Sequence, residues 1–150
     1  MKSYKKRENL KSLIKKKKVK KVSKLAKKKL DDNSKYWKNK ADKAFGEYIH
    51  KRDEGCLVCG TIYGKQDCHH LISRGNIPTR HNPMNGVKLC VKHHKFDKEC
   101  SPHMGPLGFS EFLRQNYPDK YDWVIQNKWK YSKYNFKESY ENLTRMIEEL

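Results

Sequence analysis

Apolar residues recur at helical spacing in two stretches that lie on either side of the middle of the chain. Between residues 35 and 51 they fall on one face of a helix, which predicts an amphipathic helix that packs on the rest of the protein. The residues of this face are Trp37, Ala41, Ala44, Phe45, Tyr48 and Ile49. A second amphipathic helix is predicted close to the C-terminus, where the spaced residues are Phe136, Tyr140, Leu143, Ile147 and Leu150.

The region between these helices shows shorter and less regular patterns. Residues 61–66 predict a short strand or turn, residues 68–72 a strand, and residues 85–89 a brief extended segment. A loop rich in turn residues, 73–83, separates the last two, and a helix is predicted to begin at Cys90. The mixture predicts an α+β fold in which a small sheet is flanked by helices.

Two features are predicted between the middle region and the C-terminal helix. Ser110 is expected to cap a short helix that Pro118 ends. Aromatic and apolar residues follow it, and we interpret them as packing residues rather than as a surface for base stacking. They are Tyr121, Trp123, Val124 and Trp129.

Charge is distributed very unevenly along the 150 residues, whose formal net charge is +18. Residues 1–30 hold fifteen Lys or Arg and one Glu, a net charge of +14, whereas residues 31–150 carry only +4. We predict that this basic N-terminal tail is an arm that contacts the phosphate backbone of DNA. The alternatives are a disordered solubilising tail and, more weakly, a membrane-surface segment, which lacks a Trp or Phe anchor here. The tail residues predicted to contact DNA are Lys15, Lys16, Lys17, Lys18, Lys27, Lys28 and Lys29.

The amino-acid composition limits the size of the core, and the cysteines indicate the cellular compartment. Hydrophobic residues make up 35% of the chain and charged residues another 35%, so we expect a small core that a bound metal helps to stabilise. The five cysteines are odd in number, and the sequence shows neither a signal peptide nor an apolar run that could span a bilayer. We therefore predict reduced thiols in a soluble, cytoplasmic protein.

Two pairs of metal-binding residues, each with two residues between its members, bracket the middle region. The pairs are Cys56 with Cys59 and Cys90 with His93. Three thiolates and one imidazole form a closed tetrahedral Zn2+ set, which leaves no open coordination position for chemistry. We predict a structural zinc that joins the two ends of a small subdomain and contributes to its folding.

Four further residues stand in a fixed order around these pairs: His69 and His70, then Asn85, then His94. Together with the zinc pairs, this pattern over about residues 53–100 resembles the HNH endonuclease family, also called the His-Me finger or ββα-metal nucleases. The resemblance implies a ββα-metal core that hydrolyses DNA phosphodiester bonds with one catalytic divalent ion, Mg2+ or Mn2+. It also implies that cleavage leaves 5′-phosphate and 3′-hydroxyl ends.

The same resemblance gives each of these residues a role. His70 matches the general base, which takes a proton from the attacking water. His69 and His94 match the ligands of the catalytic ion, and Asn85 matches the asparagine that steadies the loop and so orients the base. Zinc-containing members usually have Cys at the position of His93, so an exchange of roles between His93 and His94 stays open.

A narrower resemblance is to the phage NinG family of recombination nucleases. It rests on the helix before the first cysteine pair, on the run from His69 to Gly75, and on Thr79 and Arg80. It implies a phage protein that acts on branched DNA. The choice of protein partner stays open between a second copy of the chain and phage replication or recombination proteins. Arg74 and Arg80, in the loop after the paired histidines, are predicted to contact phosphate.

Other histidines and acids near the motif are harder to assign. Asp97 and His103 follow the second metal-binding pair and stay open as extra metal ligands or phosphate contacts. No role is assigned to His50 or His81.

We divide the chain into a basic tail (1–30), a packing helix (31–52), a nuclease core (53–105) and a C-terminal helical extension (106–150). Two functions account for the tail and the zinc pairs: a metal-dependent DNA endonuclease, and a zinc-stapled DNA-binding module without cleavage activity. Only the endonuclease also accounts for the three histidines and the asparagine outside the zinc set. A redox role for the CxxC pair is excluded because no thioredoxin-like βαβ pattern surrounds it.

Overall fold

The computed structural model describes Ala26 and residues 31–150. The predicted DNA-contacting lysines of the tail lie outside the described residues. Helices surround a two-stranded antiparallel sheet, which confirms the predicted α+β class. Within residues 31–150, no helix is both long enough and apolar enough to cross a membrane.

The first helix, α1 (Lys35–Arg52), confirms the helix predicted over residues 35–51. Ala41, Phe45 and Ile49 are buried at successive intervals of four residues, which places them along one face. The helix ends at Asp53, whose backbone is extended.

The sheet pairs strand β1 (Gln66–His70) with strand β2 (Gly86–Cys90). β1 begins and ends two residues earlier than the predicted strand 68–72. It ends at His70 because the next two backbone N–H groups donate to the backbone and side-chain oxygens of Asn85. In the preceding segment, predicted as a short strand or turn, residues 61–65 bend without regular secondary structure and Gln66 begins β1.

Short helical turns connect and follow the strands. The connection between β1 and β2 contains the 3-10 turns Ile77–Thr79 and Pro83–Asn85. After β2, the π-helical turn Lys92–Phe96 replaces the α-helix predicted from Cys90. A hydrogen bond of 3.0 Å from the Asp97 N–H to the Lys92 carbonyl, five residues earlier, closes this turn.

Three further helices complete the described chain: α2 (Pro106–Asn116), α3 (Pro118–Asn127) and α4 (Phe136–Glu148). α4 confirms the predicted C-terminal helix. The prediction that Ser110 caps a helix is wrong, because α2 already begins at Pro106, a turn earlier. Proline suits that position since its φ is preset and the first helical N–H needs no partner within the helix.

Different helices cover the two faces of the sheet. On one face, Val87 and Leu89 are fully buried in a cluster with residues of α2. On the other face, Gly86 faces the Phe45 and Ile49 side chains of α1. α4 packs on α1 through the buried Leu143. The alternation along β2 therefore places the strand between two cores.

The residues predicted to form an aromatic packing cluster do so only in part. Tyr121 is half-buried against the cluster that contains Phe109 and Leu113. Trp129 is 87% exposed, so the packing interpretation is wrong for this residue.

We expect Gly86→Ala to lower the free energy of unfolding by about 1–3 kcal/mol, the usual cost of overpacking a core. The added Cβ would lie 2.5 Å from Ile49 Cδ1 and 2.6 Å from Phe45 Cζ, which would force α1 away from the sheet. Urea denaturation measures the change.

Gly46→Ala is the matched control, because a Cβ at this α1 position meets no heavy atom within 4 Å. Alanine is a better helix former than glycine by about 0.5–1 kcal/mol, so this variant should be more stable than the parent. Parental stability in Gly86→Ala would show that α1 does not depend on this close approach.

Candidate metal centres and active-site cleft

Four side chains gather at one end of the sheet: Cys56, Cys59, Cys90 and His93. Their sulfur and ring nitrogen atoms all lie within 4.8 Å of one another. The Sγ atoms of Cys59 and Cys90 are 4.0 Å apart, and His93 Nδ1 lies 3.3 Å from Cys90 Sγ. Tetrahedral Zn2+ bonds of about 2.0–2.3 Å separate ligand atoms by about 3.3–3.8 Å. The cluster could therefore hold a metal such as zinc.

Tight turns and a strand end place these ligands. Gly60, with φ +70°, turns the chain after Cys59, and its N–H donates to the Cys56 carbonyl at 2.7 Å. Cys90 ends β2, and His93 follows in the π-helical turn. The residues that meet are the two pairs expected from their spacing, and it is His93 rather than its neighbour that faces the thiols.

A second cluster brings together His69, His94 and His103. His69 Nδ1 and His103 Nε2 each lie 3.3 Å from His94 Nε2. The cluster thus joins the two residues expected to bind a catalytic ion with a third histidine that the sequence left open. Its ring nitrogens converge closely enough to hold a metal ion.

A carboxylate behind His94 fixes which of its nitrogens faces the cluster. His94 Nδ1 lies 2.9 Å from Asp67 Oδ2, and this hydrogen bond is the main cause of the lowered pKa of Asp67. Because the carboxylate accepts, Nδ1 carries the proton, and in the neutral ring Nε2 holds the lone pair. Metal-binding histidines are commonly oriented by a carboxylate in this way.

Burial keeps His69 in the form that a metal ligand requires. Desolvation is the largest cause, and the nearby histidines add to it, so that the pKa of His69 is lowered to about 3. The ring is therefore neutral at pH 7 and can offer a lone pair.

His70 points to the opposite face of β1 from His69, as successive strand residues do. Its ring stacks on Phe45 of α1, with ring centroids 4.6 Å apart and an angle of 29° between the planes. His70 Nε2 lies 3.0 Å from the Arg80 carbonyl oxygen. Since a carbonyl oxygen only accepts, Nε2 carries the proton and Nδ1 holds the lone pair. Burial lowers the pKa of His70 to about 4, despite the opposing hydrogen bond to Arg80, so the ring is neutral at pH 7.

Asn85 holds the loop that supports His70. Its side chain is fully buried, and its Oδ1 accepts from the Ile72 N–H at 2.6 Å. Its Nδ2 donates to the carbonyls of Ile72 and Thr79, at 3.1 and 3.0 Å. Thr79 directly precedes Arg80, whose carbonyl accepts from His70. Asn85 thus ties the end of β1 to the loop that contains Arg80.

The structure contradicts the predicted phosphate contact of Arg80. The side chain is buried, with Nε and Nη2 donating to the two carboxylate oxygens of Asp42 at 2.6 and 2.8 Å. Its Nη1 donates to the Arg74 carbonyl. All three donor groups are therefore used inside the protein, where Arg80 joins α1 to the loop.

His81 also has a structural role that the sequence did not assign. Its Nε2 lies 2.7 Å from Asp42 Oδ1, and its Nδ1 lies 2.6 Å from the Tyr134 hydroxyl. Burial lowers the pKa of His81 although Asp42 opposes the shift. Burial would raise the pKa of Asp42, but hydrogen bonds from Arg80 and His81 outweigh it and hold that pKa below its usual value.

A cleft of about 450 Å³ opens where β1 ends and exposes both histidine sites to solvent. The paired histidines and the other two members of the second cluster line it. Arg74 also lines the cleft and is exposed, so it lies where a negatively charged substrate would enter. Arg74 therefore stays a candidate for phosphate contact.

Sequence reasoning missed two acids and left one histidine open. Asp42 follows the buried Ala41 of α1. An acid next to the packed face of a helix could have indicated an ion pair inside the protein. Asp67 and His103 gave no comparable signal, because their partner His94 is reached only through the tertiary fold. Asp97, also left open, accepts N–H groups from the next turn and is not part of either cluster.

Comparison with known proteins leaves the family open. No family model, curated protein or solved structure matches the chain. The two clusters and the cleft are therefore the features that bear on function.

We expect Cys56→Ser and Cys90→Ser to unfold the sheet region rather than merely to slow a reaction. A closed structural zinc site contributes on the order of 10–16 kcal/mol in small zinc-binding peptides. This is comparable with the whole free energy of unfolding of a typical domain. Metal analysis should find one tightly bound zinc per parental chain, and circular dichroism reports the loss of structure.

Cys100→Ser is the control, because Cys100 is half-buried but belongs to neither metal cluster. It should keep its zinc and its fold. A Cys56→Ser protein that folds and keeps zinc stoichiometry would rule out the structural metal site.

Proposed function

We propose that this protein is a metal-dependent DNA endonuclease of the HNH type. The observation that carries the proposal is the position of His70, with a lone pair on Nδ1, in the same cleft as three histidines that could hold a metal ion. The order and spacing of these residues, which resemble the HNH pattern, add independent support.

His70 is the general base of this proposal. Its Nδ1 accepts a proton from a water molecule, while the Arg80 carbonyl and the Phe45 ring keep the imidazole in one orientation. The water oxygen forms a bond to phosphorus as the bond from phosphorus to the 3′ oxygen breaks. The 3′ oxygen takes up a proton, so the products carry 5′-phosphate and 3′-hydroxyl ends.

A divalent ion held by His69, His94 and His103 would neutralise a non-bridging phosphate oxygen and stabilise the leaving oxygen. Three protein ligands leave coordination positions for substrate, whereas the four-ligand cysteine cluster is closed. The two clusters therefore suit two different tasks, one catalytic and one structural.

The third histidine narrows the choice of catalytic ion. Imidazole suits transition-metal ions, whereas Mg2+ prefers oxygen ligands and near-ideal octahedral geometry. Asp67 bonds to His94 rather than joining the cluster, so its oxygens do not change this preference. Of the two ions expected from the sequence, Mn2+ fits these residues better than Mg2+.

Charge supports DNA as the substrate. The chain carries +18, of which +14 lies in residues 1–30, and Arg74 adds a cation at the cleft. A polyanion is the partner that such a distribution attracts. A role in phage DNA processing or recombination belongs to the same proposal and rests on the sequence resemblance alone.

The test is nicking of supercoiled plasmid by zinc-loaded protein with Mn2+ or Mg2+ added. Added ions are preferable to EDTA inhibition, because EDTA would also strip a structural zinc. We expect His70→Ala to lower the rate by about 10²–10⁴-fold, the usual effect of losing a general base, with DNA binding and zinc content unchanged.

His50→Ala is the matched control, since His50 is exposed on α1 and belongs to neither cluster. It should cut at the parental rate. Cleavage by His70→Ala at that rate would make the base assignment wrong. Parental protein that binds DNA but never nicks it would instead favour a zinc-stapled DNA-binding module.

We expect deletion of residues 1–30 to weaken DNA binding and to leave the chemistry in place, because the proposed site lies wholly within the described residues. Each lost phosphate contact should flatten the slope of log K against log salt by about 0.9 on duplex DNA. Fluorescence anisotropy over a salt series measures the slope.

At saturating DNA and low salt, the truncated protein should still cleave. An unchanged slope would show that the tail does not contact phosphate. Complete loss of cleavage at saturation, in a protein that keeps its fold and zinc, would show that the tail forms part of the site.

A further inference from the structure

The segment between α3 and α4 has an unusual composition. Residues 128–133, which we call the connector, read Lys128-Trp129-Lys130-Tyr131-Ser132-Lys133, so lysines alternate with two aromatic residues and a serine. The connector contains no acid and has no regular secondary structure. Alternating cations and aromatic rings are typical of surfaces that bind single-stranded nucleic acid.

Both aromatic side chains of the connector face solvent. Trp129 is 87% exposed and Tyr131 is 96% exposed, whereas Tyr134, immediately beyond, is bound to His81 and packed against Phe136. Exposure of these two rings therefore does not extend to Tyr134, the next aromatic residue along the chain. Large aromatic side chains kept in water favour a binding role.

The rest of the protein holds the connector in place. Asn76 Nδ2, from the loop between the strands, donates to the Lys128 carbonyl at 3.0 Å. The Lys130 N–H donates to the Asn127 carbonyl, also at 3.0 Å. The exposed rings are thus carried on a backbone that is fixed to the loop following the paired histidines.

A groove beside the connector adjoins the proposed active site. It measures about 600 Å³, and Trp129, Lys130 and Tyr131 of the connector line it. Leu71 and Ser73 line it too, and Ser73 also lines the active-site cleft. The groove and the cleft are therefore neighbours that share a residue.

We propose that Trp129 and Tyr131 stack on unpaired bases of a single DNA strand whose backbone the connector lysines contact. The proposal rests on the nuclease function proposed above and adds a substrate class to it, namely DNA with a single-stranded segment beside the scissile phosphate. A single strand is favoured over a duplex because the base faces of a duplex are already stacked on one another. A polyanion is favoured over an apolar protein surface because each aromatic residue lies between two lysines or next to one.

The test is binding of the full chain, without added divalent ions, to three labelled DNAs of about 15 nucleotides, within the usual range of single-strand site sizes. They are a thymidine single strand, a duplex, and a single strand whose central residues lack bases. We expect Trp129→Ala to weaken binding to the thymidine strand about tenfold, the effect of losing one stacked base. Binding to the duplex and to the abasic strand should change less than about twofold, because neither offers a base face.

Two variants control for fold and for general exposure of aromatic groups. Trp129→Phe keeps a ring and should retain most of the affinity for the thymidine strand. Tyr63→Ala removes a ring that is 81% exposed in the turn beside the cysteine cluster, and it should bind like the parent.

Three outcomes would overturn the stacking proposal. They are parental single-strand affinity in Trp129→Ala, an equal loss on all three DNAs, and a parental dimer that Trp129→Ala converts to monomer in sedimentation. The last result would make the connector a contact between two copies of the chain. If any of these occurs while the parent still nicks plasmid, the nuclease proposal stands alone. If Trp129-dependent binding is found but no ion supports nicking, the nuclease proposal fails instead.

Discussion

Successive residues of a β-strand point to opposite faces of the sheet, and the whole candidate site depends on this alternation. His69 is directed to the side where His94 and His103 converge. His70 is directed to the α1 side, where a ring and a backbone carbonyl hold it. Two adjacent residues of one type thus acquire different surroundings. A shift of one residue in the strand register would exchange their faces and separate both from their partners.

The helix α1 provides the contacts on the side of the sheet to which His70 points. The absence of a side chain at Gly86 lets α1 lie close to the sheet, and Asp42 then reaches the loop between the strands. Asp42 binds the Arg80 side chain while the Arg80 backbone carbonyl binds His70. The orientation of one imidazole is therefore fixed through a helix, a loop and a strand that are distant in sequence.

Contacts between residues that are close in sequence could be predicted from the sequence, whereas contacts between distant residues could not. The face of α1 and the pairing of Cys90 with His93 involve residues three or four apart, so their spacing alone places them together. His103 meets His94 only in the folded chain, and nothing in its spacing requires this.

The same limit applies to predicting the role of a charged residue from the sequence, as Arg80 shows. A cationic residue in a polar loop is consistent with either a phosphate contact or an internal ion pair, and the choice depends on whether an acid lies opposite it. Here Asp42 does, thirty-eight positions earlier in the chain. Trp129 shows the converse case, because its apolar character suggested burial while the loop geometry leaves it in water.

The π-helical turn places His93 in one cluster and His94 in the other, so the two sites are joined by a single peptide bond. Three thiolates around a dication would leave one net negative charge on the cysteine cluster, whereas a set of two thiolates and two imidazoles would be neutral. An ion in the histidine cluster would therefore have a negatively charged cluster as its neighbour instead of a neutral one. At such short range that difference is large, because charges inside a protein are weakly screened. With zinc bound, a third cysteine in the cysteine cluster would thus lower the electrostatic potential at the histidine cluster, although it contributes no ligand there.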